Sequence, residues 1–223
     1  ELAGDLSGCR IAWSPDLGFG PATDPEVLAL CEAAVAAFAE LGATVVPGSP
    51  ACPDPQAAMW NGVWLPAYAP DLDAYDWAEL LRTDRVDPEL VEIVRAGAAQ
   101  TGTEIAAAEM ERSAVYRAFA GFMDEHDLLV SPTLRVAGFP AVGFGPPEFD
   151  GAPLSDRILG WLNTYPFNMT GTPAISVPVG FTAAGQPVGL QIAGGHLADA
   201  RVLRAAAAFE RVRPWAERHP AHS

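Results

Sequence analysis

Apolar residues fall into two rhythms along the 223-residue chain, and the switching between them predicts a layered α/β fold. Gly8-Cys-Arg-Ile-Ala-Trp-Ser14 is a short apolar run closed by Pro15, which reads as a strand. Gly18, Gly20 and Pro21 make a loop. Asp24 then stands as a helix N-cap, since its carboxylate can accept from the orphan amides of the first turn. Pro25 suits the first helical position and Glu26 the positive end of the helix dipole. Val27, Leu28, Cys31, Val35, Phe38 and Leu41 recur at helical spacing, and Gly42 supplies the stop. Ala43-Thr-Val-Val46 reads as a second strand. Residues 8–47 are therefore expected to form a right-handed parallel crossover, in a sheet that needs cover on both faces.

From Pro47 to about Gln100 the rhythm breaks up, and prolines crowd among Trp60, Trp64, Tyr68, Tyr75 and Trp77. Short helices are expected at 55–68, 74–82 and 88–98. A long helix follows from Thr103 to about Glu125, with Ala108, Met110, Val115, Phe119 and Phe122 near one side. Leu128-Leu-Val130 is a buried strand stopped by Ser131-Pro132. Residues 137–153, rich in glycine and proline, read as a wrapping loop. Strands are expected at 174–182 and 187–193, joined by a turn in which Gly185 is free to take positive φ. A closing helix is expected over 198–212. The predicted fold class is thus α/β, a mixed and mostly parallel sheet covered by helices. Three stretches divide the chain: 1–48 as strand–helix–strand, 49–126 as a helical region, and 127–215 as sheet core with hairpin and closing helix.

Composition changes this picture in three ways. The net charge of −15 repels phosphate backbones and anionic bilayers, which argues against nucleic-acid or membrane partners. No run of 18 apolar residues exists, so no membrane span is expected. Cys9, Cys31 and Cys52 lie far apart with no paired spacing, which favours a reducing, cytoplasmic setting over a disulfide framework. The chain opens at Glu1 without a methionine, and an upstream segment is expected.

Residues 165–195 carry the most specific pattern. Pro166-x-Asn-x-x-Gly-x-Pro-Ala-x-Ser-Val-Pro178 is followed by Gly185-x-Pro-x-Gly-Leu-Gln-Ile192. This order and spacing resembles the C-terminal core of the amidase signature family, whose members cleave or transfer amide nitrogen. Asp127-Leu-Leu-Val-Ser-Pro-Thr133 is similar to the family's strand leading into a Pro-Thr turn, and Ala205 to Trp215 to its last helix. Residues 50–100 resemble nothing in particular; in the family that region varies and helps choose the substrate.

The resemblance implies a serine nucleophile, a second serine as proton relay and a neutral lysine as base, all in a Gly- and Ser-rich segment. None is present here. All 13 basic residues counted as Lys and Arg are arginines, and no Gly-Gly-Ser-Ser-Gly run occurs. Arginine cannot replace the lysine, because it keeps its proton. No catalytic residue is therefore assigned; the lysine and the serine pair are expected upstream of Glu1. The resemblance implies that this chain is the C-terminal part of one amidase domain, inactive by itself, with no metal and no organic cofactor. It implies a small-molecule amide as substrate.

Trp161, Thr164 and Phe167 are candidates for an apolar acyl pocket, since Trp161 to Asn168 leads into the sheet where the family's cleft lies. Core packing explains the same residues. Asn168 is a substrate candidate that serves equally to satisfy buried backbone groups. Trp60 and Trp64, one helical turn apart, form either a pocket wall or a packed helix face. In the tRNA-dependent amidotransferase branch an acidic residue falls near the place of Trp161, and its absence favours a general amidase. His126, His196, His219 and His222 lack the company that metal binding needs. Two alternatives stand beside the hydrolase: part of a glutamine amidotransferase, and a non-catalytic binding or scaffolding module. Missing strands would leave edges and apolar faces exposed, so a homodimer is expected.

Overall fold

In the computed structural model, residues 2, 4–141 and 145–217 are described, and these residues build a five-stranded sheet between two helical layers. The strands are β1 (Arg10–Trp13), β2 (Thr44–Pro47), β3 (Leu128–Pro132), β4 (Ala174–Phe181) and β5 (Pro187–Gly194). Their spatial order is β2-β1-β3-β5-β4. β1 pairs parallel with β2 and β3, whereas β3–β5 and β4–β5 are antiparallel. The mixed sheet is as expected, but half of its pairings are parallel rather than most. β4 and β5 are joined by a tight turn and so pair antiparallel, and β5 then meets β3, distant in sequence, in the antiparallel sense as well.

α1 (Pro25–Glu40) forms where the cap chemistry predicts, with the Asp24 carboxylate accepting from the amides of Glu26 and Val27. α9 (Asp199–Val212) lies beside it on the same face of the sheet. Phe38 of α1 and Phe209 of α9 meet at 5.4 Å, and both are fully buried. Burying such a ring is worth about 1.5–3 kcal/mol. Strand alternation sorts the two layers. Ile11, Leu128, Val130 and Ile192 point toward α1 and α9. Ala12, Leu129 and Ala193 point to the opposite layer.

That second layer is built from short helices. α2 (Gln56–Met59), a π-helical stretch (Trp60–Trp64) and α3 (Leu65–Tyr68) run on without a break, as the expected helix at 55–68. α4 (Trp77–Arg82), α5 (Pro88–Ala99) and α6 (Gly102–Met123) follow. α6 opens one residue earlier than its pattern suggested, because Thr101 and Glu104 form a complete capping box. Gly97 of α5 rides against α3 so closely that a Cβ there would lie 2.1 Å from the Leu65 carbonyl oxygen.

Two further helices, α7 (Leu154–Leu159) and α8 (Tyr165–Thr170), stand where the sequence suggested only a connection into the sheet. Each has six residues and no side-chain cap to mark its start, unlike α4, which is as short but is capped by Asp76. α8 ends on Gly171, which takes the left-handed conformation at φ 68°. The β4–β5 turn closes as expected: the Gly185 amide donates to Thr182 O, and Gly185 has φ +79°.

Candidate functional site

The loops that follow β1, β2 and β3 leave the same end of the sheet, at the carboxyl ends of the parallel strands. In open α/β sheets this end is where ligands bind. Residues 14–24, 48–55 and 133–139 converge there, together with the segment joining α7 and α8. A hydrogen bond of 2.6 Å between Ser14 Oγ and Ser49 Oγ joins the first two loops, and the Leu17 amide donates to Ser14 Oγ at 2.8 Å.

Arg135 organises the rest. It is 2% exposed, deep among apolar groups, in a chain whose other arginines mostly lie at the surface. Its Nη1 donates to Pro21 O at 2.7 Å and its Nη2 to Asp16 O at 3.1 Å. The guanidinium carbon sits 5.3 Å from the centre of the Phe19 ring. Its own amide donates to Trp161 O, and its carbonyl accepts from the Asp24 amide. A single side chain and its backbone thus tie the loop after β1, the cap of α1 and the α7–α8 connection. Burial lowers its pKa, opposed by the nearby Tyr165 and by Asp16 and Asp54. Gly20 is required opposite it, because φ is +73° there and a Cβ would approach the guanidinium to 3.0 Å.

Tyr165 is buried beside this cation and donates its hydroxyl to Asp54 Oδ1 at 3.2 Å. Burial and the Asp54 charge push its pKa up strongly, so the phenol keeps its proton. Cys52, two residues before Asp54, is pushed up to about 11 by burial and by that same carboxylate. Neither group is a nucleophile at neutral pH. Arg157 and Glu89 form an ion pair at 3.0 Å nearby, and Gln56 hydrogen-bonds Asp156.

The candidate residues read from the sequence separate on this scaffold. Trp161 lies on the Arg135 assembly, half-buried, with Nε1–H donating to Arg157 O at 2.9 Å and its ring edge-on to Phe139 at 5.2 Å. Thr164 is half-buried at the cap position of α8, with no side-chain cap bond. Phe167, by contrast, is 3% exposed and packs edge-on against Phe119 at 5.6 Å, so it is a core residue here. Asn168 is exposed, and so does not satisfy buried backbone groups. That role falls to Asn163, fully buried, whose Nδ2 donates to Pro132 O at 3.0 Å. Trp60 and Trp64 stack at 5.9 Å, with Tyr68 edge-on to Trp64, as a half-buried aromatic ladder along the π-helical stretch. A π turn is a frequent mark of a functional position.

Arg135 and Tyr165 were not found by sequence reasoning. The available signal was a lone arginine three residues past the Pro132 that ends a buried strand, in a segment otherwise free of charge. Among the described residues no cluster of histidine, cysteine or carboxylate could hold a metal ion. His126 is occupied by its own helix, since Nδ1–H donates to Phe122 O and the two rings stack at 4.3 Å. His196 is exposed, and His219 and His222 lie outside the described residues. No helix among the described residues is long and apolar enough to cross a membrane.

Comparison with known proteins gives the family and the fold. The profile of the Amidase family matches residues 1–203. An acylamidase of Rhodococcus erythropolis is 48% identical over 220 residues, covering 99% of this chain and 46% of that protein. A glutamyl-tRNA(Gln) amidotransferase polypeptide of Moorella thermoacetica is 33% identical, covering 98% of this chain and 47% of its own length. Among solved structures, a bacterial aryl acylamidase of the amidase signature family superposes with a TM-score of 0.81 at 28% identity, over 99% of this chain and 48% of its own. The chain spans about half the length of the relatives it matches, and it belongs to the Amidase family.

Proposed function

We propose that this chain forms one wall of the substrate cleft of an amide hydrolase. The reaction would cleave a carboxamide C–N bond, releasing ammonia or an amine. The site at the carboxyl ends of β1, β2 and β3 supplies shape and apolar surface: Trp161 and Thr164 at its mouth, the Trp60–Trp64 ladder alongside, and Arg135 and Tyr165 holding the loops behind. The observation that carries this reading is the 48% identity to an acylamidase across essentially the whole chain.

A resonance-stabilised amide needs an activated nucleophile, donors for the oxyanion and an acid for the leaving nitrogen. The sequence has no lysine, and its buried thiols and phenol are held protonated. The chain by itself is therefore expected to hydrolyse nothing, and the nucleophile and its base belong to the part that its relatives have and this chain does not match. An acylamidase-like parent is favoured over a glutamine-using one, because an indole stands at Trp161, where a carboxylate would be needed to meet an amino-acid substrate.

The test is amide turnover by the purified 223-residue chain, followed as ammonia or arylamine release from simple anilides and carboxamides. No release above the buffer rate is expected. Turnover that survives repurification would overturn the proposal, and would direct attention to a nucleophile within these residues.

A further inference from the structure

We infer that the end of β3 is a binding site for one interior water molecule, held between the side-chain oxygen of Asn163 and the hydroxyl of Ser131. The bound water ties down the segment that carries Trp161 and Thr164.

Asn163 spends nearly all of its hydrogen-bonding groups on the sheet. Its amide donates to Thr133 O at 3.2 Å, and its Nδ2 donates to Pro132 O at 3.0 Å. Its carbonyl oxygen accepts from Gln191 Nε2 at 3.1 Å. Oδ1 is left over: it is buried, and no group of the protein donates to it. Turning the amide over does not help. Oδ1 would then face the Pro132 carbonyl oxygen, two acceptors with no proton between them, and an N–H would take its place without an acceptor. The side chain cannot reach bulk solvent either, since Asn163 is 0% exposed. Gln100 Oε1 is also buried and unpartnered, but Gln100 is half-buried at the end of α5, where solvent is close.

A second unmet need lies beside the first. Ser131 stands opposite Gln191 across the β3–β5 ladder, and both are buried. Ser131 Oγ accepts from Gln191 Nε2 at 3.4 Å, a long bond, and the same nitrogen serves Asn163 O. Among the described residues no acceptor takes the Ser131 hydroxyl proton. Gln191 thus draws together an acceptor without a donor and a donor without an acceptor, in an interior where neither is tolerated alone.

This pairing of needs selects the ligand. A metal cation has no lone pair for the Ser131 proton, and a simple anion has no proton for Asn163 Oδ1. No Asp, Glu, Lys or Arg occurs in 128–134 or 158–198, so the segments that build the site offer no charge to hold an ion. Water donates and accepts at once, and a buried polar site with two such partners retains it where an apolar cavity stays dry.

The water completes a frame. Leu134 and Leu162 form an antiparallel bridge, and the Arg135 amide donates to Trp161 O. Asn163 follows directly, so residues 161–164 hang on the end of β3 by main chain, side-chain amide and water together. An Oδ1 without its donor would draw Asn163 out of this frame, and Trp161 and Thr164 with it.

The direct test is a crystal structure of the 223-residue chain at a resolution that shows ordered solvent. A water is expected within hydrogen-bond distance of both Asn163 Oδ1 and Ser131 Oγ, as well ordered as the side chains that hold it. No water there, a water touching only one of the two, or a protein donor on Oδ1 would overturn the inference. Amide exchange in solution gives a second readout. Ser131→Ala removes one anchor and leaves the direct bonds of Asn163 in place. It should speed exchange at the amides of Asn163 and Arg135 at least tenfold, with no change in α1 or in the circular dichroism. Unchanged exchange at both amides would equally sink the bridge.

Discussion

Arg135 is the side chain with most to lose. Truncation to alanine would leave a large cavity and strip Pro21 O and Asp16 O of their donor, both costly in a buried setting. Arg135→Ala is expected to lower unfolding free energy by about 3–5 kcal/mol, read as a shift of the urea midpoint at constant slope. Arg135→Lys keeps the charge but cannot reach two carbonyls with a planar fork, and should recover only part of the loss. Cys31 makes a second residue-scale statement. It is fully buried on α1, and burial pushes its thiol from 9.0 up to about 12. The unfolded thiol ionises first as pH rises, so the native state binds more protons between about pH 9 and 12 and loses stability there. The native advantage is intact below pH 9. Cys31→Ala should flatten that alkaline limb, by on the order of 1 kcal/mol at pH 10, seen as a smaller fall in midpoint between pH 8 and pH 10.

Elements were legible in proportion to their length and their capping. α1 could be placed from Asp24, Pro25 and Gly42 alone, and the β4–β5 hairpin from the turn at Gly185. α7 and α8 were invisible because each has six residues and no side-chain cap, unlike the equally short α4, and of the two readings open for Phe167, pocket and core, α8 turns it onto Phe119. The share of parallel pairing was overestimated for a similar reason, since pairing direction belongs to contacts between distant segments rather than to any one of them. The site was legible in outline: Trp161 and the Trp60–Trp64 pair could be named, but the Arg135–Tyr165–Asp54 group could not, since it joins loops far apart in sequence. Close helix packing is a case where one atom decides an element's place. With 2.1 Å between a would-be Cβ and Leu65 O, Gly97→Ala must push α5 away from α3. A destabilisation of about 1–3 kcal/mol is expected, with faster amide exchange in α3 and α5 and little change in α1, by exchange mass spectrometry.

On the scale of the whole molecule, the sheet divides the work. One side, under α1 and α9, is a continuous apolar layer; the other carries the short helices, the aromatic ladder and the loops of the candidate site. β3 lies between the two kinds of pairing, parallel to β1 and antiparallel to β5, and every residue in it is buried. Ile11 and Leu128 are neighbours across a very long stretch of intervening chain, and closing such a loop is slow compared with forming a local hairpin. On a ribosome, β1, α1 and β2 emerge well before β3 does, and β3 has no antiparallel neighbour until Gly194 has been synthesised. The centre of this sheet is therefore the part a nascent chain completes late, long after β1 and β2 are able to pair with each other.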